Sequence, residues 1–587
     1  MSDSSVPARP ASVTVATGDA ARGLEMGGDS LRRRVRQAVE EAWARAVESG
    51  VLPALPDGTD APAVEVERPA NADHGDFATN LAMKLARPYR RPPLEIARAL
   101  AAELTNAPVT SAQSPRLVAR ADVAAPGFVN MRIADSTLER LIERILATPT
   151  TWGRSASTHP QRINVEFVSA NPTGPLHIGN ARGAFVGDLL CRVLEAAGHR
   201  SEREYYFNDF GAQVRNLGAS VLAIRLGQPI PEDGYHGDYV HDLAKELPDD
   251  IRVTAEVPGA DGATIVGTWA SEQVRRGIEQ SLERLGVHFD VWKTESSLHD
   301  DGWVARAIDR LRASGHIYEQ NGATWFRSTE LGDDKDRVVY RSNGAPTYFA
   351  ADIGYVAEKF SRGFDHLIYI WGADHHGTVA RLRNAAEAMG FDKAAVEVLL
   401  IAWVRFIRDG VEISMSKRTG EFITLDDLLA EIGVDAARWF FASRAPSTGI
   451  DFDIELAKKQ SNENPVYYVQ YAHARIASIV RKAAESGLYR APSMPGGVSG
   501  EPEAALARVI SRLPDVVEDA AAARETQGVT AYATELATTF HAFYRDARVV
   551  DLAAPDRSRL RLALVEAAQV TLASALGLLG ISAPESM

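Results

Sequence analysis

The sequence of 587 residues contains a single cysteine, Cys191. One cysteine allows neither an internal disulfide nor a metal site built from several thiolates, and such sparse use is typical of a reducing cytoplasm. Because Cys191 lies in a stretch whose apolar residues have helical spacing, we expect it to be a small core residue. The scarcity of cysteine excludes a disulfide-stapled secreted scaffold, and we expect a cytoplasmic protein.

Long apolar runs and an excess of positive charge are also missing. The sequence has no run of about 18 or more apolar residues, the length that a membrane-spanning helix needs, so we expect no membrane segment. The 64 basic and 78 acidic residues give a formal net charge of −14. This balance argues against a generally basic nucleic-acid binder, although it allows local basic surfaces on an acidic protein.

The length of the chain predicts about three to five domains. Residues 1–30 are rich in Ser, Ala, Gly and Pro and lack the apolar core of a secretory signal. Changes in composition and periodicity suggest the other boundaries. We predict a disordered extension at 1–30, a small α+β N-terminal domain at 31–135, a linker at 136–160, an α/β domain at 161–455 with an insertion at about 220–335, and an all-α bundle at 456–587.

The start of the α/β domain has the clearest secondary-structure pattern. Residues 162–168 alternate and are rich in β-branched side chains, which predicts a strand. A loop rich in proline and glycine follows at 169–178, and a helix with apolar residues at helical spacing then runs to Ala197. A second strand is predicted near 204–207. This order is typical of a doubly wound, Rossmann-type parallel sheet.

Further elements are predicted on either side of this unit. The α/β pattern resumes at Ala350 and at the apolar run 367–371. In the N-terminal part, the spacing predicts helices at 31–48 and from Leu81, and a strand within 123–132. We therefore predict a multidomain α/β protein whose main domain contains a parallel sheet.

The loop after the first strand of this sheet combines features that suit a nucleotide. It reads Asn171-Pro172-Thr173-Gly174-Pro175-Leu176-His177-Ile178-Gly179-Asn180, directly before a helix. A helix N-terminus offers free N–H groups and a positive dipole end to an anion. His177 can donate to a phosphate oxygen, and Gly179 leaves room for a flat purine ring. Taken alone, such a loop is more often an ordinary connection with a capping histidine.

A second motif lies far downstream and favours the nucleotide-binding interpretation of the first. It reads Ile413-Ser414-Met415-Ser416-Lys417-Arg418-Thr419-Gly420, ahead of a predicted helix near 424–428. A loop that carries two cations among small and hydroxyl residues can close over phosphates. Lys417 would then stabilise the charge that develops as pyrophosphate leaves.

Together the two motifs resemble the HIGH and KMSKS signatures of class I aminoacyl-tRNA synthetases. The resemblance implies that His177, Gly179, Asn180, Met415, Ser416 and Lys417 bind ATP, and that His177, Asn180 and Lys417 are catalytic. Two positions depart from the family pattern. Asn180 stands in place of the second histidine and can still donate to a phosphate. Ser414 stands in place of the first lysine, so catalysis would depend more strongly on Lys417.

Acidic and polar residues near these motifs suit a guanidinium. Arginine presents a rigid fork of N–H donors, so its pocket needs acceptors held in fixed positions. Glu166 lies on the strand that enters the nucleotide loop, and Asn171 follows it closely. Tyr348 and Asp352 are four residues apart at a predicted helix start, so both can face one site.

These positions resemble arginyl-tRNA synthetases. The resemblance implies that Glu166 and Asn171 bind the α-amino end of arginine and that Tyr348 and Asp352 bind its guanidinium. Residues 371–377 also resemble the bacterial form of the family and place His375 at the arginine site. The alternative for Asp374, His375 and His376 is a zinc site. Residues 205–213 and 235–239 look family-specific as well, but no chemistry is assigned to them.

A helix in the C-terminal part carries an aromatic face. Spacings of three and four residues place Tyr468, Tyr471 and Arg475 together, and such a face can stack unpaired bases, although an ordinary core stripe has the same spacing. The domain resembles the anticodon-binding domain of arginyl-tRNA synthetases, which implies that these residues and Met587 bind tRNA. Further candidates there are His541, Phe543, Tyr544 and Arg548.

The N-terminal part resembles a domain peculiar to the same family, which contacts the outer corner of the tRNA. The matching region of this sequence has Asn71, His74, Asp76, Phe77 and Asn80. Of these, Asn71 and Phe77 are the residues that we expect to contact tRNA.

The resemblance implies a complete reaction. ATP, accompanied by Mg²⁺, activates L-arginine to arginyl-adenylate, and the acyl group passes to the 3′ end of tRNA-Arg. It also implies a monomer and a requirement for tRNA in the first step. Two alternatives remain: a class I synthetase for another amino acid such as cysteine or glutamate, and a non-catalytic tRNA-binding protein.

Overall fold

The computed structural model describes residues 30–106, 116–413 and 424–587. In the N-terminal domain, Ser30 begins the first helix because its side chain accepts a hydrogen bond from the N–H of Arg33. Three strands form an antiparallel sheet in the order β1-β3-β2. The elements are α1 (Leu31–Glu48), β1 (Phe77–Thr79), α2 (Leu81–Tyr89), α3 (Pro93–Thr105), β2 (Val118–Ala124) and β3 (Phe128–Ile133).

The predicted helices at 31–48 and from Leu81 are confirmed by α1 and α2. The strand predicted within 123–132 is confirmed by β3, but the sequence did not reveal that β2 precedes it and pairs with it in a hairpin. Pro126 and Gly127 make the turn between the two strands, and a proline cannot donate to a strand ladder.

The helix α4 (Asp135–Ala147) leads into the α/β domain. The elements of that domain are β4 (Arg162–Glu166), α5 (Ile178–Ala196), β5 (Arg200–Phe207), α6 (Ala212–Arg225), α7 (Asp238–Glu246), α8 (Asp249–Ala255), α9 (Gly262–Arg284), β6 (Val291–Thr294), α10 (Glu295–Asp300), α11 (Trp303–Ala313), β7 (Ile317–Gln320), β8 (Ala323–Phe326), β9 (Arg337–Tyr340), α12 (Tyr348–Ser361), β10 (His366–Gly372), α13 (His376–Ala388), β11 (Val396–Ile401), β12 (Val404–Arg408), β13 (Val411–Glu412), α14 (Leu425–Ile432), α15 (Val434–Ala442) and β14 (Ile450–Asp453).

The central sheet is parallel throughout and has the order β11-β10-β4-β5-β6. The first strand in the chain, β4, lies in the middle. The chain proceeds from it to β5 and β6 on one side and later to β10 and β11 on the other. The reversal between β4 and β10 is a topological switch point, where a crevice opens at the carboxyl ends of the strands. The predicted doubly wound fold is confirmed.

The region predicted as an insertion at about 220–335 only partly lies outside this sheet. It contains α7 to α9 and the first two strands of the antiparallel sheet β7-β8-β9, but also β6, which pairs with β5 in the central sheet. The strand β6 has four residues of intermediate exposure. A strand this short has too little apolar alternation to be recognised in the sequence.

The C-terminal part is a bundle of helices, as predicted. Its elements are α16 (Ile454–Lys458), α17 (Pro465–Glu485), α18 (Glu501–Ile510), α19 (Leu513–Ala523), α20 (Gln527–Asp546) and α21 (Pro555–Leu578). Within the described ranges, α21 alone is long and apolar enough to cross a membrane by length and composition, a test that the core helix of a bundle also passes. It packs against α17, α18 and α20.

A buried arginine joins the α/β domain to the bundle. Arg438, on α15, is 2% exposed and donates to Asp188 Oδ2 on α5 at 2.8 Å. Its guanidinium also donates to the carbonyl oxygens of Leu285, Gly286 and Leu579, at 2.9 to 3.1 Å. Three segments that are distant in sequence therefore meet around one side chain.

We expect Arg438→Met to destabilise the protein by about 3–5 kcal/mol, because it leaves Asp188 and several carbonyl groups buried with fewer partners. The measurement is the midpoint of chemical or thermal unfolding. The control is Arg405→Met, which breaks an exposed ion pair with Asp451 and should shift the midpoint little. Equal shifts in the two variants would contradict the importance of the buried contacts.

Candidate active site

A cavity of about 1430 Å³ lies at the carboxyl ends of the central strands. Every strand of the sheet contributes to its wall at or just after its last residue. The contributions are residues 168–171 after β4, Asn208 after β5, Glu295 after β6, residues 370–375 at the end of β10 and residues 401–404 after β11. The cavity therefore occupies the crevice expected at the switch point.

The nucleotide loop enters this cavity at the N-terminus of α5. His177 is the N-cap, and its Nδ1 accepts from the N–H of Gly179 at 3.1 Å. The Asn180 side chain completes a capping box, since its Oδ1 accepts from the N–H of His177 at 3.2 Å. All three line the cavity. Asn180 therefore fixes the loop through a contact that its amide oxygen provides.

Gly179 has no room for a side chain. A Cβ at this position would lie 2.8 Å from two atoms of the His177 ring. The glycine thus lets the imidazole fold back over the first turn of α5, where the positive end of the helix dipole faces the cavity.

The segment 414–423 is outside the described residues, and with it Ser414, Met415, Ser416 and Lys417. The residue that follows this segment, Thr424, forms a β-bridge with His177. In addition, the N–H of Leu425 donates to the carbonyl oxygen of Leu176 at 3.1 Å. The chain directly after the second motif therefore lies beside the first motif.

Arg182 supports the same end of the cavity. Its side chain is 1% exposed and donates to the carbonyl oxygens of Ala402 and Ala445, each at 2.8 Å. Burial lowers its pKa to about 10, so the guanidinium still carries its charge at neutral pH. This end of the cavity therefore combines a helix N-terminus with a fixed cation.

The opposite end of the cavity is acidic. Tyr348 and Asp352 are one helical turn apart on α12, and both line the wall together with Glu295. Burial raises the pKa of Asp352 to about 7, and the charges of Glu166 and Glu295 contribute, while Arg381 opposes the rise. Burial also raises the pKa of Glu295. A bound cation would stabilise the charged form of these carboxylates.

Glu295 was missed by the sequence analysis. It follows β6 directly, and that strand lies in the region predicted as an insertion. An acidic residue at the carboxyl end of a parallel strand is a signal for a site, but only once the strand itself has been recognised.

Glu166 is not among the residues that line the cavity, and its contact with arginine stays a prediction. Its carboxylate accepts from Lys359 Nζ at 2.7 Å and from Ser169 Oγ at 3.2 Å. Glu166 is 4% exposed and Lys359 is fully buried. Burial raises the pKa of Glu166, and the Lys359 ammonium opposes this rise.

The ion pair belongs to a buried network beneath the acidic end. Lys359 lies over the rings of Tyr355 and Tyr369, 4.2 and 4.1 Å from their centroids. Glu204 on β5 accepts from Tyr355, from Asn164 on β4 and from Arg362. The network thus fastens the helix that carries Tyr348 and Asp352 to the central strands.

Asn171 and His375 both reach the cavity, as predicted. Asn171 Nδ2 donates to Gln213 Oε1 at 2.7 Å. His375 Nε2 lies 3.6 Å from Asp374 Oδ2, and both side chains are exposed. In the part of the chain that the structure describes, no group of three or more His, Cys, Asp or Glu side chains is arranged to hold a metal ion. The zinc alternative for residues 374–376 gains no geometric support.

The two segments without assigned chemistry also contribute to the site. Tyr206, Asn208, Gln213, Tyr235, His236 and Tyr239 line the cavity. Tyr205 is instead 1% exposed, and its hydroxyl bonds to the backbone N–H and carbonyl of Ala170 at 3.0 and 2.9 Å. Tyr239 donates to the carbonyl oxygen of Thr173 at 2.8 Å. The hydroxyls of these two tyrosines thus hold the backbone of the nucleotide loop in place.

A second cavity, of about 600 Å³, lies in the helical bundle. It brings together the predicted Tyr468, Tyr471 and Arg475, and His541 joins them. Arg475 Nη1 donates to Tyr471 Oη at 2.7 Å. The exposed chain end that carries Met587 is held against α17, because the carbonyl oxygens of Pro584 and Glu585 bond to His473 and Arg481.

In the N-terminal domain, the two predicted contact residues have different positions. Asn71 is exposed, whereas Phe77 is fully buried in the domain core. The guanidinium of Arg68 lies over the Phe77 ring, 4.3 Å from its centroid. The predicted contact of Phe77 with a partner is therefore wrong in this arrangement, because the ring has no accessible surface.

We expect Lys359→Met to destabilise the protein by about 3–5 kcal/mol, because it leaves Glu166 buried without its cation. The double variant Lys359→Met/Glu166→Gln should recover part of this loss, since no unpaired charge remains. Unfolding midpoints measure both effects. Lys393→Met is the control, since it breaks the exposed pair with Glu387 and should change little. A double variant less stable than Lys359→Met would contradict the pairing argument.

Comparison with known proteins finds family models that match most of the chain. Three family models match: the arginyl tRNA synthetase N terminal domain at 29–133, the class I (R) tRNA synthetase catalytic domain at 141–234 and 264–446, and the DALR anticodon binding domain at 469–587.

Individual relatives match over nearly their whole lengths. The arginine–tRNA ligase of Citrifermentans bemidjiense is 44% identical over 565 residues, covering 94% of this chain and all of the relative. That of Bacillus licheniformis is 42% identical over 576 residues, covering 96% and all of the relative. The solved arginyl-tRNA synthetase of Thermus thermophilus is 25% identical, with a TM-score of 0.72, covering 95% of this chain and all of that one.

Proposed function

The chain belongs to the arginyl-tRNA synthetase family, and from that premise we propose how its cavity orients the substrates of an arginine–tRNA ligase. The enzyme activates arginine with ATP and transfers it to the 3′ end of tRNA-Arg. The cavity must therefore hold a cationic amino acid and an anionic nucleotide end to end. Its two differently charged ends correspond to these two substrates.

The guanidinium of arginine binds at the acidic end, against Asp352, Tyr348 and Glu295. The observation that carries this assignment is the Asp352 carboxylate, whose pKa is raised to about 7 by burial and by neighbouring acids. A guanidinium relieves that repulsion and offers donors to more than one acceptor. Glutamate would add negative charge and cysteine would leave the carboxylates unpaired, which disfavours a synthetase for either amino acid.

The α-amino end of arginine lies nearer the middle of the cavity. Asn171 holds it, with His375 at the opposite wall, since both side chains reach the cavity. We assign Glu166 an indirect role beneath the cavity. Its ion pair with Lys359 fixes α12 relative to β4, so it positions the substrate contacts without making one.

ATP binds at the other end. Its phosphates approach the N-terminus of α5, where His177 and Asn180 lie, and its adenosine packs near Gly179 and residues 401–404. Lys417 belongs to the segment directly before Thr424, which pairs with His177, and it would act on the phosphates from there. Mg²⁺ arrives with ATP, bound by phosphate oxygens and water, and no protein ligand is assigned to it.

The reaction then needs little more than alignment and charge stabilisation. The arginine carboxylate attacks the α-phosphorus of ATP, a new oxygen–phosphorus bond forms, and the bond to pyrophosphate breaks. A ribose hydroxyl at the tRNA 3′ end next attacks the acyl carbon, and AMP leaves. His177 and Lys417 stabilise the phosphate charge in the first step.

The tRNA is bound at two further places. Tyr468, Tyr471 and Arg475 in the bundle cavity stack unpaired anticodon bases, with Met587 at the nearby chain end. In the N-terminal domain, Asn71 contacts the outer corner of the tRNA. We also infer a monomer that works in the cytoplasm and needs tRNA for amino-acid activation.

The acidic end predicts a specific pH dependence. Binding of the guanidinium lowers the raised pKa of Asp352, so below about pH 7 arginine binding must release a proton. The affinity for arginine should therefore fall as the pH falls below 7, by at most about tenfold per pH unit, and level off above it. Titration calorimetry with arginine between pH 5.5 and 8.5, in buffers of different ionisation heat, measures both effects.

The matched variant is Asp352→Asn, which should bind arginine weakly at every pH and lose the part of the slope that Asp352 contributes, while it keeps its affinity for ATP. Pyrophosphate exchange with each amino acid, with and without tRNA, tests the specificity. Faster exchange with another amino acid, or equal loss of ATP and arginine binding in Asp352→Asn, would overturn the assignment. No exchange at all would favour a non-catalytic tRNA-binding protein.

The bundle cavity predicts an effect confined to tRNA. Tyr471→Ala removes a stacking surface worth about 1–3 kcal/mol per base, so the KM for tRNA should rise roughly fivefold or more. The KM for arginine should not change. Steady-state aminoacylation measures both, and Tyr489→Ala, an exposed tyrosine outside the cavity, is the control. An unchanged KM for tRNA in Tyr471→Ala would remove this residue from the proposed interface.

A further inference from the structure

A loop of the N-terminal domain is closed at its base and exposed at its tip. Glu67 and Ala78 exchange backbone hydrogen bonds at 2.9 and 2.8 Å, which brings the two ends of residues 68–77 together. Asn71, Asp73 and His74 are exposed at the tip. Gly75 lies directly over β3, since a Cβ there would be 2.6 Å from the carbonyl oxygen of Met131. The loop is therefore a defined surface feature.

Both ends of this loop are tied to the helical bundle by ion pairs. At one end, Arg68 donates through Nε and Nη2 to Asp515 Oδ2 on α19, at 3.2 and 2.7 Å. At the other, Asp76 Oδ1 lies 3.1 Å from Arg508 Nε on α18. The charges are reversed between the two pairs, so each domain supplies one acid and one base.

Both pairs are largely buried, and the acid of the first pair is the more deeply buried of the two acids. Asp515 is 3% exposed, and burial lowers the pKa of Arg68, an effect that Asp515 opposes. Arg68 also lies over the buried ring of Phe77 at the far end of the loop. A charge held in this way is costly to leave unpaired, so the pair fixes the geometry of the loop base.

We propose that Asp515 and Arg508 are positioning residues for tRNA recognition by the N-terminal domain. They hold the base of the 68–77 loop, so that its tip meets the tRNA at a set distance and angle from the bundle cavity that binds the anticodon. A rigid RNA that touches both domains can use both contacts only if their spacing is fixed. This inference rests on the proposed contact of Asn71 with tRNA.

The test is a double-mutant cycle between Asp515→Asn and Asn71→Ala, read out as the KM for tRNA and kcat in aminoacylation. Each single variant should raise the KM about threefold to tenfold and leave kcat within about twofold. If Asp515 acts through the loop tip, Asn71→Ala should add little in the Asp515→Asn background. Independent effects, which multiply in the double variant, would overturn the proposal.

The matched control is Asp519→Asn. Asp519 lies on the same helix and pairs with Arg32 of the same N-terminal domain, whereas the ion pairs at the loop ends are made by Asp515 and Arg508. It should leave the KM for tRNA unchanged. An equal rise in Asp519→Asn would mean that general docking of the domains, rather than the loop, is responsible, and would overturn the proposal.

A second variant covers the case in which Asp515→Asn does not fold. Arg508→Gln breaks the pair at the other end of the loop and should show the same rise in KM and the same lack of additivity with Asn71→Ala. Additive behaviour there would also overturn the proposal. An unchanged KM in Asn71→Ala alone identifies a different failure, because it removes the proposed tRNA contact itself and the inference with it.

Discussion

The ion pair between Glu166 and Lys359 is the contact on which the geometry of the site depends. Glu166 ends β4, from which the nucleotide loop continues, and Lys359 lies on α12, which carries Tyr348 and Asp352. Neither group is accessible enough to be stabilised by water, so each needs the other. The position of Tyr348 and Asp352 relative to the loop that follows β4 is therefore set by an interaction outside the lining of the cavity.

The cavity above this pair is polarised. Its β11 end has the N-terminus of α5 and the buried guanidinium of Arg182, whereas its β5 and β6 end has Asp352 and Glu295. The guanidinium of arginine is positive and the phosphates of ATP are negative. The favourable arrangement places the guanidinium at the acidic end and the phosphates at the N-terminus of α5. It also brings the arginine carboxylate towards the phosphates, where the reaction occurs. In the proposed arrangement, specificity and alignment both follow from the same separation of charge.

Much of this site could be predicted from sequence, because its motifs are local. His177, Gly179 and Asn180 share one helix start, and Tyr348 and Asp352 share one helical turn. For Glu166, the sequence could not show whether its side chain faces the cavity, because the last four residues of β4 are all buried and alternation cannot reveal which face an acid occupies. The predicted tRNA contact of Phe77 was wrong for a related reason. Phe77 follows a surface loop in the sequence, but its ring is buried in the core, and the sequence does not reveal this. Glu295 required recognition of a four-residue strand.

Contacts between domains were the other feature that the sequence could not supply. Arg438 joins α5, the end of α9 and the chain after α21, and the pairs Arg68–Asp515 and Asp76–Arg508 join the N-terminal domain to the bundle. These partners lie hundreds of residues apart, and each looks like an ordinary surface charge in its own segment. A tRNA synthetase must recognise distant parts of one RNA at once, so the spacing between its domains is part of its specificity. That spacing is set by buried charges, which are costly to separate and therefore resist small displacements of one domain against another.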